Sequence, residues 1–212
     1  MPKDTFFHLP EEKRAVIIRA AEDEFAANGF DLASIQKIIK KAGISRGSFY
    51  QYFHDKEDIF FLLLRRFIDA KIEYLQPSLR AQGDSGFFDF LKEVMKAAFK
   101  FASINPKGTK LAEEITRSRT MDWEKIKAVA FDELTLTMGQ SPFNFYKGLV
   151  EKAIESGEIN SSLSVERITF FIITLMEGTG KLLTDGSISE PYGKGGEELF
   201  DSLIGFLKHG LN

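Results

Sequence analysis

The sequence predicts an all-α chain, and three observations predict it. Apolar residues recur at helical spacing through most of its 212 residues, alternating strand patterns are scarce, and clusters of Gly, Pro, Ser and Asn separate the periodic stretches. Apolar residues make up 43% and charged residues 28%, ordinary globular usage that argues against disorder or a fibrous repeat. The expected arrangement is three short helices, a long connecting helix, and then a larger helical bundle.

Each element has its own signal. Pro10, followed by Glu11 and Glu12, suits a helix start, with proline in the first turn and acids near the positive end of the dipole. Ile17, Ala21 and Phe25 recur every four residues as one buried stripe, and Asn28-Gly29 ends that helix. Ser34 is a natural N-cap for a second helix carrying Ile35, Ile38 and Ile39, which Ala42-Gly43 stops after about two turns. Ser45 caps a third helix over 46–52, with Phe49 and Phe53 inward. Asp55 and Asp58 form a variant capping box for a long fourth helix, expected to end near Leu75, before Pro77. Further helical patterns cover 86–103, 107–119, 122–138, 142–156, 164–183 and 196–209.

Composition excludes several classes of function. Without cysteine there are no disulfides, thiolate nucleophiles or Cys-based zinc sites. His8, His54 and His209 stand in no metal-ligand spacing, so no metal and no cofactor are expected. The first residues lack the apolar core of a signal peptide, and no apolar run approaches the ~18 residues of a membrane span. The expectation is a cytoplasmic chain with no membrane partner. Phenylalanine is over-represented at 21 residues, and two readings stay open: a bulky core or the lining of a cavity.

Net charge is −3, yet the segment 34–56 holds Lys37, Lys40, Lys41, Arg46 and Lys56 against one acid, Asp55. That local +4 leaves −7 on the rest of the chain. Such an island either meets a localised anionic partner or is a solvated helix face. Its sequence also matches two helices around a Gly-containing turn, the helix-turn-helix pattern, with Ile35, Ile38, Ala42, Ile44, Phe49 and Phe53 fastening the pair. In that reading the second helix enters the major groove of double-stranded DNA by its N-terminal residues. Arg46 suits a bidentate contact to guanine, Gly47 permits close backbone approach, Ser48 meets a base edge and Gln51 pairs with adenine. Ser34, Ser45, Tyr50, Tyr52 and Lys56 are placed to hold phosphates. Taken alone, the pattern is also that of an αα-hairpin inside a helical protein.

The segment from Arg19 to Phe60 resembles the N-terminal domain of the TetR family of transcriptional regulators. The resemblance lies in Ala20-Ala21, Phe25, Gly29-Phe30, Ile38, Ala42-Gly43-Ile44-Ser45, Gly47-Ser48-Phe49-Tyr50, Tyr52-Phe53 and Lys56-Glu57-Asp58-Ile59-Phe60. It implies a homodimeric repressor on a palindromic operator, released when a small apolar or amphipathic effector enters the C-terminal domain. It also places Tyr50 and Lys56 on phosphate-contacting positions and Arg46 and Ser48 on base-facing ones. Ile39 stands where the family usually has a small residue, which puts the base-by-base assignments in doubt, whereas Ser34 in place of the usual Thr keeps the hydroxyl.

The expected division is therefore a helix-turn-helix DNA-binding domain over 1–55 and a helical ligand-sensing and dimerisation domain over 56–212. Phe99, Trp123, Phe131, Phe145 and Tyr146 are the candidate ligand contacts, although an aromatic at helical spacing is more often plain packing. Phe171, Leu175, Leu199, Leu203 and Phe206, on the last two helices, are the candidate dimer contacts. A second hypothesis is a helical ligand-binding protein whose head no longer binds DNA, suggested by Ile39 and by the acidic run Glu22-Asp23-Glu24. An enzyme is the third, but no residue cluster nominates a nucleophile or base.

Overall fold

The structure, a computed structural model, describes residues 2–80, 86–122, 124–125, 141–184 and 197–211. Those residues form helices and connecting turns, and they divide into two compact units, one of 1–70 with 105–133 and one of 71–104 with 134–212. The all-α expectation holds. The pattern at 122–138, with candidates Trp123 and Phe131, lies outside the described residues apart from 122 and 124–125.

The first unit contains α1 (Asp4–Phe7), α2 (Glu11–Leu32), α3 (Ile35–Ala42), α4 (Arg46–Tyr52), the first part of α5 (Lys56–Arg80) and α7 (Pro106–Arg117). The stripe Ile17, Ala21 and Phe25 is fully buried. Regular helix in α2 breaks at Gly29, whose φ of 67° is a left-handed conformation that costs an L side chain roughly 1–2 kcal/mol. Phenylalanine here is core. The rings of Phe25 and Phe30 each meet Phe60 edge-on, at 5.2 and 5.0 Å, and Phe49 packs on Phe53 at 5.2 Å. Edge-to-face pairs add about 0.5–1.5 kcal/mol beyond the area they bury. Residues 58–64, at the start of α5, are buried all round the helix, because α5 enters through the middle of this core.

Two expectations about α5 change in detail. Asp55 Oδ1 accepts the Asp58 N–H at 2.9 Å as a cap should, but Asp58 Oδ2 reaches back to the N–H of His54 rather than of Asp55. The helix also continues to Arg80 with Pro77 inside it. Proline there removes only the bond to the Glu73 carbonyl; both residues are exposed, so solvent can take the freed oxygen.

The second unit packs the end of α5 with α6 (Phe87–Ile104), α8 (Pro142–Glu155), α9 (Val165–Thr184) and α10 (Glu197–Gly210). Its core is built from Phe87, Leu91, Val94, Leu149, Ile168, Ile172 and Phe200 with their neighbours. Glu158 Oε2 accepts the Phe87 N–H at 2.7 Å, satisfying one of the unpaired donors at the start of α6. Among the described residues no helix is long and apolar enough to cross a membrane, and no cluster of side chains is placed to hold a metal ion.

Candidate DNA-binding surface

Helices α3 and α4 are joined through Gly43, which takes φ 64° and ψ 32° and donates its N–H to Ile39 O. Ile44 N–H bonds the same carbonyl at 3.2 Å, closing α3 in a left-handed cap. Ile38 and Phe49, both fully buried, fix the pair to α2 and α5, and Ile39 packs half-buried against the same core. Ser45 Oγ accepts the Ser48 N–H at 3.0 Å, and the two hydroxyls lie 2.9 Å apart. The N-cap of α4 is thus made as its sequence predicts. Ser34 behaves differently. Its side chain makes no cap bond; instead its own N–H donates to Glu24 Oε1 at 3.0 Å, tying the start of α3 to α2.

The expected DNA-facing residues separate into two groups. Arg46, Gly47, Tyr50 and Gln51 are exposed along α4, Ser45 is exposed at its start, and Ser34 and Ser48 are half-buried. The Arg46 guanidinium lies 5.8 Å from the centre of the Tyr50 ring, one turn along, and Tyr50 is 39% exposed. Tyr52 instead is buried, its ring beside Phe6 and Phe53. Lys56 turns back into the head: its ammonium donates to Phe30 O at 2.7 Å, Asp31 O at 3.1 Å and Ala33 O at 3.4 Å, and sits 4.6 Å from the Phe30 ring centre. The three donors of the amine are engaged with the end of α2 and the residue that follows it.

Asp23 and Glu24 of α2 are engaged as well. Glu24 lies 3.7 Å from Lys37, and Asp23 bridges Lys41, at 2.6 Å, and Lys107. These pairs hold the Asp23 carboxyl below its ordinary value, chiefly through the hydrogen bond from Lys107. Lys40 and Arg46 have no acidic partner among the described residues, so one outward-facing cation is left on α3 and one at the start of α4. Sequence reasoning missed α7 as part of this unit. Glu114 Oε2 accepts the Phe30 N–H at 2.7 Å, and Asp31 accepts the hydroxyls of Ser118 and Thr120, each at 2.6 Å. Contacts spanning more than eighty residues leave no local signal in the sequence.

In the second unit Phe99 packs against the core with its ring 5.9 Å from Phe200, and Phe145 and Tyr146 meet edge-on at 5.4 Å. An open groove lies between the end of α5 and α6, lined by Glu73, Tyr74, Pro77, Glu93, Lys96 and Lys100 among others, and none of these three aromatics lines it. On α9 and α10, Phe171 is 50% and Phe206 70% exposed, while Leu175, Leu199 and Leu203 are half-buried.

A short, capped, exposed helix, held by a glycine turn on a rigid aromatic core, defines a helix-turn-helix DNA-binding protein. Residues 17–63 match the family described as bacterial regulatory proteins, tetR family. The chain is 37% identical over 86 residues to the uncharacterised HTH-type transcriptional regulator YdgC of Bacillus subtilis, a match covering 41% of this chain and 44% of that protein. The aligned stretch thus spans less than half of that relative's length. A TetR family regulator from Chloroflexus aurantiacus superposes with a TM-score of 0.69 at 28% identity, covering 99% of this chain and 98% of that one. The FadR regulator of Bacillus subtilis, solved in complex with stearoyl-CoA, gives a TM-score of 0.68 at 22% identity, covering 93% and 99%. The relatives named here are regulators.

Proposed function

We propose that the chain is a sequence-specific transcriptional repressor of the cytoplasm that binds a palindromic operator as a homodimer and is released by a small apolar or amphipathic effector. The observation that carries this reading is α4 itself: an exposed helix whose N-terminal Arg46 has no acidic partner among the described residues and whose flanks are fixed by buried aromatics. Arg46, Gly47, Ser48 and Gln51 read base edges, while Ser34, Ser45 and Tyr50 hold phosphates. Tyr52 and Lys56 serve by shaping the head, since one is buried and the other is bonded to three carbonyls.

Residues 1–55 do the reading of DNA and 56–212 the sensing and dimerisation, a division of labour rather than of packing. Phe171 and Phe206, with Leu175, Leu199 and Leu203, offer an apolar face on α9 and α10 that a second copy would cover. Two heads would then meet half-sites one DNA turn apart, roughly 34–36 Å or a multiple of it. For the effector, Phe99, Trp123, Phe131, Phe145 and Tyr146 remain the contacts we propose.

The test is selection of bound fragments from sheared host DNA, with recovered fragments retested at two salt concentrations and with stearoyl-CoA as a first effector probe. Discrete fragments sharing a palindrome support the reading, and sedimentation of the complex should give two chains per site. If no fragment is enriched even at low salt and without effector, the reading is wrong.

A further inference from the structure

A seven-residue helix such as α4 is too short to hold itself together, and its last four carbonyls have no partner within the helix. In this protein all four are taken. Phe53 N–H bonds Phe49 O at 2.9 Å, the ordinary closing bond of the last turn. The other three come from a segment nearly fifty residues away in sequence. Lys3 Nζ donates to Tyr50 O at 2.8 Å, the Thr5 hydroxyl donates to Gln51 O, and the Lys3 backbone N–H donates to Tyr52 O at 2.8 Å. An ammonium at the C-terminal end of a helix also opposes the negative end of its dipole.

The segment that supplies these donors is itself anchored. Phe6 is 2% exposed, with its ring 4.9 Å from Phe53 and 6.3 Å from Tyr52, and Pro2 is buried. Phe7 O accepts from the Arg14 guanidinium at 3.0 Å, and Leu9 N–H bonds Phe6 O at 3.2 Å, so α1 is tied to α2 on its far side. None of these donors reaches away from the head.

We propose that residues 2–7 are a positioning element of the DNA-binding surface, in which Lys3 and Thr5 fix the C-terminal end of α4 and so the direction in which Arg46, Ser48 and Gln51 face a groove. Lys3 acts through the helix and not as a phosphate contact. The consequence for DNA rests on the function proposed above; the capping itself does not.

The experiment uses the full chain with Lys3→Met and Thr5→Val together, changes that keep both side-chain stems and remove both polar donors. Without DNA, amide hydrogen exchange of residues 50–53 should accelerate on the order of tenfold, as two lost hydrogen bonds of ordinary strength imply, while amides of residues 17–25 keep their wild-type rates. Lys3→Arg, which retains a cationic donor, should restore most of the protection. Unchanged exchange at 50–53 would overturn the capping.

The DNA arm compares a duplex recovered in the selection experiment with a scrambled duplex of equal length. The double variant should lose about tenfold in affinity for the recovered duplex, lose little for the scrambled one, and keep the wild-type salt dependence. A salt slope smaller by about 0.9 would make Lys3 a phosphate contact and refute its positioning role. Equal losses on both duplexes would refute the link to base reading. If the wild type itself prefers no duplex, the proposed function fails, and the exchange result still decides the arm. Should the double variant not fold, Thr5→Val alone, at an exposed hydroxyl, carries the exchange test with an effect confined to the last turn of α4.

Discussion

Lys56→Met separates two roles for the same side chain. In the structure its ammonium is spent on the end of α2, on the carbonyls of Phe30, Asp31 and Ala33, and against the Phe30 ring. Methionine keeps most of the stem and removes only the charge and the donors. A hydrogen bond from a charged group contributes about 1.5–3 kcal/mol, the 3.4 Å contact adds little, and the ring contact adds about 0.5–1 kcal/mol. Lys56 is only half-buried, so solvent screening brings the expected total down to about 2 kcal/mol. For a chain of this size that lowers Tm by roughly 4–8 °C. Calorimetry of the intact protein reads that shift, and DNA affinity across a salt series reads the other role. The salt slope should stay at its wild-type value, because no phosphate contact is lost. An unchanged Tm together with a slope smaller by about 0.9 would refute the structural role and make Lys56 a phosphate contact.

Arg46→Ala should remove the preference among DNA sequences, a loss of about 1–3 kcal/mol of discrimination, while leaving weaker salt-sensitive binding; competition between recovered and scrambled duplexes measures it. Gly43→Ala meets nothing within 4 Å, so its cost is purely that of a left-handed backbone, about 1–2 kcal/mol by thermal unfolding. Asp31 accepts Ser118, Thr120 and Arg119, and the Ser118 hydroxyl foremost holds its carboxyl below the ordinary 3.8. A depressed carboxyl stabilises the fold above its ordinary pKa, and that stability disappears as pH falls through the lowered value. Asp31→Asn should therefore flatten the acid limb of the stability curve around and below pH 3.8, and an unaltered acid limb would show that the contact does not matter.

Elements whose determinants are local were legible in the sequence. Ser45 caps α4, Gly43 turns left-handed, and the patterns at 86–103, 142–156 and 164–183 lie within two residues of α6, α8 and α9 at either end. The surplus of phenylalanine resolves, in the first unit, into packing: Phe6, Phe49 and Phe53 meet ring to ring, as do Phe25, Phe30 and Phe60, and all six are buried in one core. What was illegible depends on partners distant in the chain. Nothing near Lys3 or Thr5 shows that they close α4, and nothing near Lys56 shows that its amine turns inward. Pro77 was misread as a stop because proline's penalty depends on whether the orphaned carbonyl is exposed, a tertiary property.

The docking of α7 on α2 also bears on how the head is made. Phe30 and its acceptor Glu114 are 84 residues apart, with both ends of that contact inside one compact unit. At roughly 5–20 residues per second of synthesis, the end of α2 waits about 4–17 seconds on the ribosome for its partner. During that interval the apolar strip that Leu111 and Ile115 later cover is open to chaperones and to other nascent chains. Expression yield should thus respond to the speed at which codons 31–114 are read, even when the encoded protein is unchanged.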